Sequence, residues 1–225
     1  MSTGIYIADT TALEDSALFE RLYALMPLYR RKKIDAMRLP RDKRLSLGAG
    51  AALCKALNDL GQKQMPPVAC GENGKPYFPD LPALQFNLSH SKTKVMCVIS
   101  DTAVGCDVEQ ISAADVRLAK RFFSAKEYEI IADQGSEEAQ KRMFCRIWTL
   151  KESFMKATGK GFSLPLDQFT VYPDGEKIRL EQTVDAERYA FFELPPEDGF
   201  CYACCRKQAK FDTPPKIIRL DYTKL

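Results

Sequence analysis

Apolar and polar positions are most regular in the middle of the second half of the chain. The apolar residues there recur every three or four positions, as on one face of a helix, at Met143, Ile147, Leu150 and Phe154. They predict a helix from about residue 137 to residue 158, which Gly159 can end. Glu152 and Lys156 are one turn apart on another face of this helix. Such a pair is usually a solvated ion pair, but its apolar and aromatic surroundings favour the edge of a cleft.

Helical patterns come first in the chain and strand patterns follow them. The predicted order is a short strand at residues 5–7, a helix from a Thr11–Glu14 capping box to about residue 26, a second helix after Pro27, and a long helix from about residue 41 to residue 60. Asn73-Gly74 then indicates a hairpin. Alternating or wholly apolar runs predict strands at residues 84–90, 95–100 and 104–109.

The second half repeats the order of helices before strands. Ser112 with Asp115 predicts a capped helix through Phe123, and Ser124 with Glu127 forms a second capping box. After the long helix, four runs predict an antiparallel meander at residues 169–172, 177–181, 189–194 and 200–205. The last segment, which contains Pro214-Pro215, is predicted to be a strap that ends in a short strand.

Helices followed by a few strands are typical of an α+β fold. We predict two similar α+β halves, residues 1–102 and 103–225, each with helices packed on a small antiparallel sheet. The residues themselves show no repeat between the halves. A chain of 225 residues is long enough for one large core or two small ones.

Composition narrows the class of protein. With 45% hydrophobic and 28% charged residues, the chain has the content of a soluble globular protein. A net charge of +3 fits a local basic patch for phosphates better than a nucleic-acid binder. The sequence has neither an apolar run near the ~20 residues of a membrane span nor a secretory signal pattern. We therefore predict a cytoplasmic protein without nucleic-acid or membrane partners.

The eight cysteines are predicted to be reduced thiols. Most of them lie in apolar runs, where cysteine is usually a small buried hydrophobic residue. Cys201 and Cys204 have C-x-x-C spacing, but the chain has no second such pair and one histidine. This pattern argues against a structural zinc site.

Three carboxylates are candidates for chemistry. Asp107 and Glu109 are two residues apart on a predicted strand, so their side chains lie on the same face. An outward-facing acidic pair is also common on edge strands, but Glu152 adds a third hard oxygen ligand. Three carboxylates suit Mg²⁺, which often bridges to substrate phosphates, and Lys156 could neutralise a phosphate. The pattern favours phosphoryl chemistry, while the missing Gly-rich Lys-Ser/Thr loop argues against a P-loop enzyme.

Two further features are left open by the residues alone. His90 ends a strand among small polar residues and is either a loop histidine or a contact to a phosphate or base edge. The second feature is a basic and aromatic stretch that comprises Arg117, Lys120, Arg121, Phe122 and Phe123. It is either an amphipathic helix with a phenylalanine in the core or a surface that binds a partner protein.

Three motifs in this order resemble the signature of the 4′-phosphopantetheinyl transferases. They are Gly105-Cys106-Asp107-Val108-Glu109, Phe123-Ser124-Ala125-Lys126-Glu127 and Trp148-Thr149-Leu150-Lys151-Glu152-Ser153-Phe154-Met155-Lys156. The earlier blocks Gly74-Lys75-Pro76 and Asn87-Leu88-Ser89-His90-Ser91 are similar to the monomeric Sfp-type branch. The similarity is strong from about residue 70 to residue 170 and weak at the ends.

The resemblance implies a reaction and a fold. Such enzymes transfer the phosphopantetheine arm of coenzyme A to a serine of an apo acyl or peptidyl carrier protein and release adenosine 3′,5′-bisphosphate. The fold would be a monomeric pseudo-dimer of two α+β halves with the active site between them. Asp107, Glu109 and Glu152 would hold Mg²⁺ at the coenzyme A pyrophosphate. Glu152 would also act as the base on the carrier serine, directly or through water, and Lys156 would steady the pyrophosphate and the leaving group.

The resemblance also implies contacts to the rest of coenzyme A. Lys75, Ser89 and His90 would contact it, with His90 near the 3′-phosphate. Arg30, Lys32 and Arg44 would add cations from the N-terminal part, where the basic residues match the family less well and Tyr29 stands at a lysine position. The carrier protein would be acidic and helical. The residues leave its type open, whether fatty acid, polyketide or peptide synthase, and also leave open the tolerance of acyl-coenzyme A.

Two other functions use the same residues. A Mg²⁺-dependent phosphoester hydrolase would use the three carboxylates with water as the acceptor. A non-catalytic module that binds coenzyme A or a carrier protein would tolerate the loss of Glu152, whereas an enzyme would not.

Overall fold

The computed structural model describes residues 3–175 and 177–225. The helices in this part of the chain are α1 (Ser16–Ala24), α2 (Leu28–Asp35), α3 (Pro40–Asp59), α4 (Arg117–Phe122), α5 (Ala125–Ala132) and α6 (Glu137–Thr158). The strands are β1 (Gly4–Asp9), β2 (Ala69–Cys70), β3 (Pro76–Tyr77), β4 (Gln85–Ser91), β5 (Lys94–Ser100), β6 (Val104–Gln110), β7 (Phe169–Asp174), β8 (Lys177–Gln182), β9 (Tyr189–Glu197), β10 (Phe200–Lys207) and β11 (Lys216–Leu220).

The described strands form two main sheets and two hairpins. The first sheet has the order β11-β1-β5-β4, and the second has the order β6-β10-β9. The hairpins are β2-β3 and β7-β8. The strand pairs are antiparallel apart from β1 and β11, which run parallel. The predicted α+β class is confirmed.

The two main sheets pack face to face. Ile5 and Met96 of the first sheet share a buried core with Cys106, Tyr202 and Cys204 of the second. Because successive strand residues point to opposite faces, Ala203 and Cys205 on β10 point the other way, toward α6. The second sheet is therefore covered on both faces, which explains its nearly continuous apolar sequence.

Local sequence signals predicted several elements correctly. The observed α6 has the bounds expected from its apolar period, and Gly159 ends it with a φ of +72°. The helix α3 differs from the prediction by one residue at each end. The hairpin at Asn73-Gly74 is present, with Gly74 at a φ of +78°. All eight cysteines are free.

Two predicted capping residues were wrong. Thr11 and Glu14 lie in a 3₁₀ helix (Thr10–Glu14), and α1 begins after Asp15, whose carboxylate accepts from Leu18 N. Ser112 does not cap a long helix, because Ile111–Ala113 is a separate 3₁₀ turn. Aspartate is at least as good an N-cap as Ser or Thr, so the competing Asp15 sets the start of α1.

The predicted meander was also wrong, because its four strands divide between two sheets. The β7-β8 hairpin stands by itself, while β9 and β10 join β6. Pairing with β6 places Tyr202 opposite Val108 and gives the buried β10 a neighbour on each side. A meander with its strands in chain order would leave β10 at the edge of the sheet, whereas pairing with β6 buries it.

The last strand returns to the first sheet. As predicted, the C-terminal segment ends in a short strand, β11, and this strand pairs with β1 through Ile5 and Ile217. The division of the chain between residues 102 and 103 stays a prediction. No helix in residues 3–175 and 177–225 has the length and apolar character needed to cross a bilayer.

Gly105 sets the distance between β6 and α6. A Cβ atom at this position would overlap the carbonyl oxygen of Ser153 and the backbone nitrogen of Ala157, both in α6. We expect Gly105→Ala to lower the free energy of unfolding by about 1–3 kcal/mol or more, because neither backbone can retreat as a side chain would. Urea unfolding measures the change. Gly135→Ala is the matched control, because an added Cβ there meets no atom within 4 Å. Equal stability of the two variants would contradict the close packing.

Candidate active site

The polar face of β6 builds the centre of the site. Val104, Cys106 and Val108 point into the core between the sheets. The alternate residues Asp107 and Glu109 therefore point toward the α6 side, as their two-residue spacing predicted. Close packing at Gly105 brings α6 near enough for its side chains to reach these carboxylates.

Asp107 is the most enclosed of the three predicted carboxylates, with 3% of its surface exposed. Its Oδ1 accepts hydrogen bonds from Ser89 Oγ at 2.7 Å and from Lys156 Nζ at 2.6 Å. Lys156 Nζ also donates to Ser89 Oγ at 3.2 Å. Asp107 Oδ2 is buried and has no hydrogen-bond partner among the described residues. The structure thus brings Ser89, Asp107 and Lys156 into direct contact and leaves one oxygen of Asp107 available for a ligand.

Strand β4 supplies the opposite side of the site. Ser91 Oγ donates to Glu109 Oε2 at 2.7 Å, two residues along each strand from the contact between Ser89 and Asp107. Cys106 N donates to Asn87 Oδ1 at 2.9 Å. In these three contacts the residue numbers rise together along β4 and β6. Because β4 belongs to the first sheet and β6 to the second, the site lies where the two sheets meet.

Glu109 and Glu152 are carboxylates whose pKa values are raised. Burial, followed by the negative charge of Asp107, raises the pKa of Glu109 against the opposing hydrogen bond from Ser91. Burial, with the charges of Asp107 and Glu109, raises the pKa of Glu152 although Lys156 opposes it. Besides burial, repulsion between neighbouring carboxylates raises both pKa values, because it disfavours the ionised form.

Lys156 is the cation among these carboxylates. Its Nζ lies 3.9 Å from Glu152 Oε2 in addition to its contact with Asp107, and 27% of its side chain is exposed. Burial lowers the pKa of Lys156, but the charges of Asp107 and Glu152 outweigh burial, so the pKa is raised. A permanently charged ammonium group with an exposed side can meet an incoming anion.

A group of cations continues away from the carboxylates. His90 is partly open to solvent at the end of β4, and desolvation, followed by the charges of Lys156 and Lys33, lowers its pKa. Desolvation and the charge of Arg30 lower the pKa of Lys33 in turn. His90 therefore lies near Lys156 and Lys33, and Lys33 lies near Arg30.

Arg30 is unusual because it is a nearly buried charge. Its side chain is 6% exposed, stacks at 5.6 Å from the ring centre of Tyr29, and passes over Gly50 of α3. Its Nε, like the hydroxyl of Tyr29, is buried without a hydrogen-bond partner among the described residues. A buried guanidinium group that is incompletely bonded is costly, so an anion bound nearby would stabilise it.

The remaining predicted contacts lie elsewhere. Lys75 Nζ turns inward and donates to the carbonyl oxygens of Val104 at 3.0 Å and Ala157 at 3.2 Å. Arg44 pairs with Glu14 at 3.2 Å, and Lys32 is exposed on α2. Lys75 therefore fastens the β2-β3 hairpin to the start of β6 and the end of α6. Its direct contact with coenzyme A, and those of Lys32 and Arg44, stay predictions.

Lys75 gives the stability a pH dependence with a definite sign. Burial lowers its pKa to about 8, whereas an unfolded lysine has a pKa of about 10.4. Between these values the unfolded chain binds more protons, so the contribution of Lys75 to the free energy of unfolding rises with pH. We expect the difference in free energy of unfolding between wild type and Lys75→Met to rise by up to about 1.4 kcal/mol per pH unit above pH 8. Urea unfolding from pH 7 to pH 10 measures it, with the exposed Lys63→Met as control. A constant difference would contradict the burial of a charged Lys75.

A second ion pair lies under the site and is fully buried. Lys151 Nζ donates to Glu127 Oε1 at 2.6 Å, to Glu127 Oε2 at 2.8 Å and to Phe169 O at 2.7 Å, and both charged side chains are 0% exposed. Glu127 also accepts from the backbone nitrogens of Ser124 at 3.0 Å and Val171 at 2.7 Å. The Ser124 capping box is therefore confirmed, and the same glutamate joins α5, α6 and β7.

The predicted metal ligands do not form a ready-made cage. Across residues 3–175 and 177–225, no group of three or more His, Cys, Asp or Glu side chains is arranged to hold a metal ion. In this arrangement Lys156 neutralises Asp107 instead. The donor set nevertheless fits a hard cation, because Asp107 Oδ2 is unpartnered and the Glu109 and Glu152 carboxylates are held close to it.

Sequence reasoning missed several residues of this site. Ser91 repeats the two-residue spacing of Asp107 and Glu109 on the facing strand, and that spacing was a usable signal. The pairing of Glu127 with Lys151 had no local signal, because the two residues are 24 positions apart.

Comparison with known proteins identifies the family of this chain. The model of the 4′-phosphopantetheinyl transferase superfamily matches residues 103–205. The chain is 38% identical over 157 residues to 4′-phosphopantetheinyl transferase Sfp of Bacillus subtilis (strain 168), covering 68% of each protein. It is 30% identical over 227 residues to 4′-phosphopantetheinyl transferase ffp of Bacillus subtilis, covering 99% of this chain and 98% of that protein.

A solved structure is similar over a smaller part. Holo-[acyl-carrier-protein] synthase of Thermotoga maritima is 19% identical, covers 46% of this chain and 61% of its own, and gives a TM-score of 0.40. The family assignment depends instead on the sequence relatives, one of which is similar from end to end. The chain therefore belongs to the 4′-phosphopantetheinyl transferase superfamily.

Proposed function

We propose that this protein transfers the 4′-phosphopantetheine arm of coenzyme A to a serine of an apo acyl or peptidyl carrier protein. The observation that carries the proposal is the contact of Ser89, Asp107 and Lys156 where the two sheets meet, with Asp107 Oδ2 unpartnered. The basic side chains Lys156, Lys33 and Arg30, with His90 near the first two, support an elongated substrate with several phosphates. Coenzyme A has a pyrophosphate and a separate 3′-phosphate.

The reaction needs a base and a positive charge at one place. A serine hydroxyl is a poor nucleophile at neutral pH, and Glu152 of α6 is the proposed acceptor of its proton. The serine oxygen forms a bond to the phosphorus next to the pantetheine arm. The bond from that phosphorus to the oxygen shared with the other phosphate then breaks, and adenosine 3′,5′-bisphosphate leaves. Lys156 stabilises the charge that develops on the departing phosphate.

We also propose that Asp107, Glu109 and Glu152 hold Mg²⁺. When bound, Mg²⁺ supplies charge neutralisation to the pyrophosphate. The protein's own share is to present one unpartnered oxygen of Asp107, with Glu109 oriented by Ser91. Lys156 and the metal are then two sources of positive charge on one substrate group.

Helix α4 is the proposed surface for an acidic carrier protein. Phe123 is 6% exposed and stacks on Phe144 at 5.4 Å, whereas Phe122 is 40% exposed with the Arg121 guanidinium 5.0 Å from its ring centre. One of the two phenylalanines is thus in the core and the other is on the surface, beside Arg117 and Lys120. This combination of an exposed aromatic ring and cations suits an acidic helical partner.

Intact mass spectrometry of an apo carrier protein tests the proposed activity. The carrier is incubated with this protein, coenzyme A and Mg²⁺, and its mass is expected to increase by one 4′-phosphopantetheine group. Parallel reactions omit coenzyme A or replace Mg²⁺ with a chelator, and both are expected to leave the carrier unmodified.

The same experiment separates the two other functions. A phosphoester hydrolase would release the arm from coenzyme A without any carrier and would leave the carrier mass unchanged. A non-catalytic binding module would change neither molecule. Full transfer with a chelator present would contradict the metal assignment while leaving the transfer reaction intact.

His90 is proposed to contact the 3′-phosphate of coenzyme A. Lys156 and Lys33 both lie near enough for their charges to affect it, so its neighbours favour an anion there. We expect His90→Ala to raise the KM for coenzyme A about tenfold, the scale of one lost charged hydrogen bond. The KM for 3′-dephospho-coenzyme A should stay within about twofold. Steady-state kinetics with both substrates measure the effect, and an equal rise for both would exclude this role.

We further propose that the active form is a cytoplasmic monomer, because both sheets that form the site belong to one chain. Light scattering at the working concentration should give the mass of a single chain. Activity confined to an oligomer would contradict the proposal.

A further inference from the structure

A cavity of about 150 Å³ opens beside the carboxylates, between the Ile111–Ala113 turn, α4 and α6. Glu109, Gln110 and Asp115 provide its polar groups. Its other walls are apolar and consist of Ala113, Ala114, Leu118, Phe144, Cys145 and Trp148. The cavity therefore combines one polar side with a mostly apolar interior.

Glu109 connects this cavity to the proposed active site. Its carboxylate accepts a hydrogen bond from Ser91, and it lies close enough to Asp107 for the charge of Asp107 to affect it. Its backbone oxygen accepts from Cys145 Sγ at 3.4 Å, and Cys145 is part of the cavity wall. Glu109 therefore belongs both to the cavity wall and to the carboxylates around Asp107, so the cavity adjoins the proposed pyrophosphate site.

The size of the cavity limits what it can hold. An apolar cavity of about 150 Å³ accommodates a group of roughly the size of benzene. In coenzyme A the pyrophosphate is followed by one methylene group and then by a carbon that carries two methyl groups. The next carbon has a hydroxyl group, and an amide follows. The first apolar group after the pyrophosphate is therefore compact and branched, and polar groups come directly after it.

We propose that this cavity is the subsite for the branched pantoyl part of coenzyme A, with the two methyl groups against Leu118, Phe144 and Trp148. This assignment rests on the proposed transfer from coenzyme A. Gln110 is the polar group available to the adjoining hydroxyl and amide, because both carboxylate oxygens of Asp115 already accept from Arg117. The cavity thereby recognises the pantoyl part and aligns the pyrophosphate, so it determines specificity without taking part in bond breaking.

The charge of the cavity favours this ligand over a side chain of the carrier protein. Glu109 lies at its polar side and would repel an acidic side chain of the carrier, whereas the charge of Asp115 is balanced by Arg117 at 2.9 Å. The cations of α4 that suit such a partner lie outside the cavity wall. A neutral branched group with a hydroxyl and an amide meets no such repulsion.

Filling the cavity tests the assignment. Ala114→Phe places a ring in the space, and we expect it to raise the KM for coenzyme A at least tenfold while the KM for the carrier changes less than twofold. Ala139→Phe is the matched control, because Ala139 lies in a different groove beside Arg142 and Phe191, and it should leave both values unchanged.

A substrate analogue makes the test specific. Wild type should prefer coenzyme A over an analogue without the two methyl groups by about tenfold in kcat/KM, from the burial of two methyl groups. Ala114→Phe should abolish that preference. Leu118→Ala, which enlarges the cavity instead, should reduce the preference and keeps the test informative if the larger residue prevents folding.

The outcomes separate this inference from the proposed function. If wild type modifies no carrier at all, the transfer proposal itself is wrong. If wild type transfers normally but does not distinguish coenzyme A from the analogue, the pantoyl assignment is wrong. A rise in the KM for the carrier alone in Ala114→Phe would overturn the assignment in favour of a carrier side chain.

Discussion

Glu152→Gln is expected to lower turnover by about 10²–10⁴-fold, the usual loss when a general base is removed. Burial and the neighbouring carboxylates raise the pKa of Glu152, which brings its proton affinity closer to that of a base working at neutral pH. Glutamine keeps the shape and much of the hydrogen bonding but cannot accept the serine proton. Coenzyme A should still bind, although less tightly.

Single-turnover transfer to an apo carrier protein measures the effect of Glu152→Gln on the rate, and circular dichroism checks that the variant is folded. Glu138→Gln is the matched control on the same helix, because Glu138 is exposed and pairs only with Arg142 among its salt-bridge contacts in the described chain. Its turnover should equal that of wild type. Near-normal turnover of Glu152→Gln at saturating Mg²⁺ would transfer the role of base to Asp107 or to a bound water.

Lys151→Met is expected to lower the free energy of unfolding by about 3–5 kcal/mol. The substitution leaves the Glu127 carboxylate charged and 0% exposed, with its hydrogen bonds to Ser124 N and Val171 N but without its cation. The cost is that of an unpaired buried charge rather than the net strength of the ion pair. Because Lys151 precedes Glu152, loss of the pair should also loosen the part of α6 that presents the base.

Urea unfolding of Lys151→Met and of Glu127→Gln/Lys151→Met separates these effects. The double variant should recover part of the loss, because it removes both charges. Lys141→Met is the control for an exposed helix pair, with Glu137 as its partner 2.6 Å away, and it should cost less than about 1 kcal/mol. If Lys151→Met also lowered the free energy of unfolding by less than about 1 kcal/mol, water would have to reach Glu127.

Periodicity and local chemistry determined much of this protein from its sequence. The apolar stripe of α6 and the glycine after it define that helix, because side chains at helical spacing share one face whatever they pack against. The two-residue spacing of Asp107 and Glu109 likewise determines that both face one side of β6. The ordered motifs identified the family, since their combination is more specific than any one of them.

Contacts between distant segments were decided by the tertiary structure alone. Nothing near Ser91 in the sequence indicates that β4 lies beside β6, where Ser91 meets Glu109. Local patterns placed β10 in a chain-order meander, whereas burial of both its faces required pairing with β6 and cover from α6. The hydrogen bonds from Lys75 to Val104 and Ala157 likewise had no local signal, and its contact with coenzyme A stays a prediction.

The physical reason is that periodicity reports which face of an element is buried and not what buries it. Gly105 is small because the backbone of α6 lies against it, and Lys151 is tolerated in the core because Glu127 meets it there. Packing of two covered sheets and the pairing of buried charges are properties of the assembled chain. The sequence by itself determined the elements and the candidate carboxylates, and the tertiary structure decided their partners.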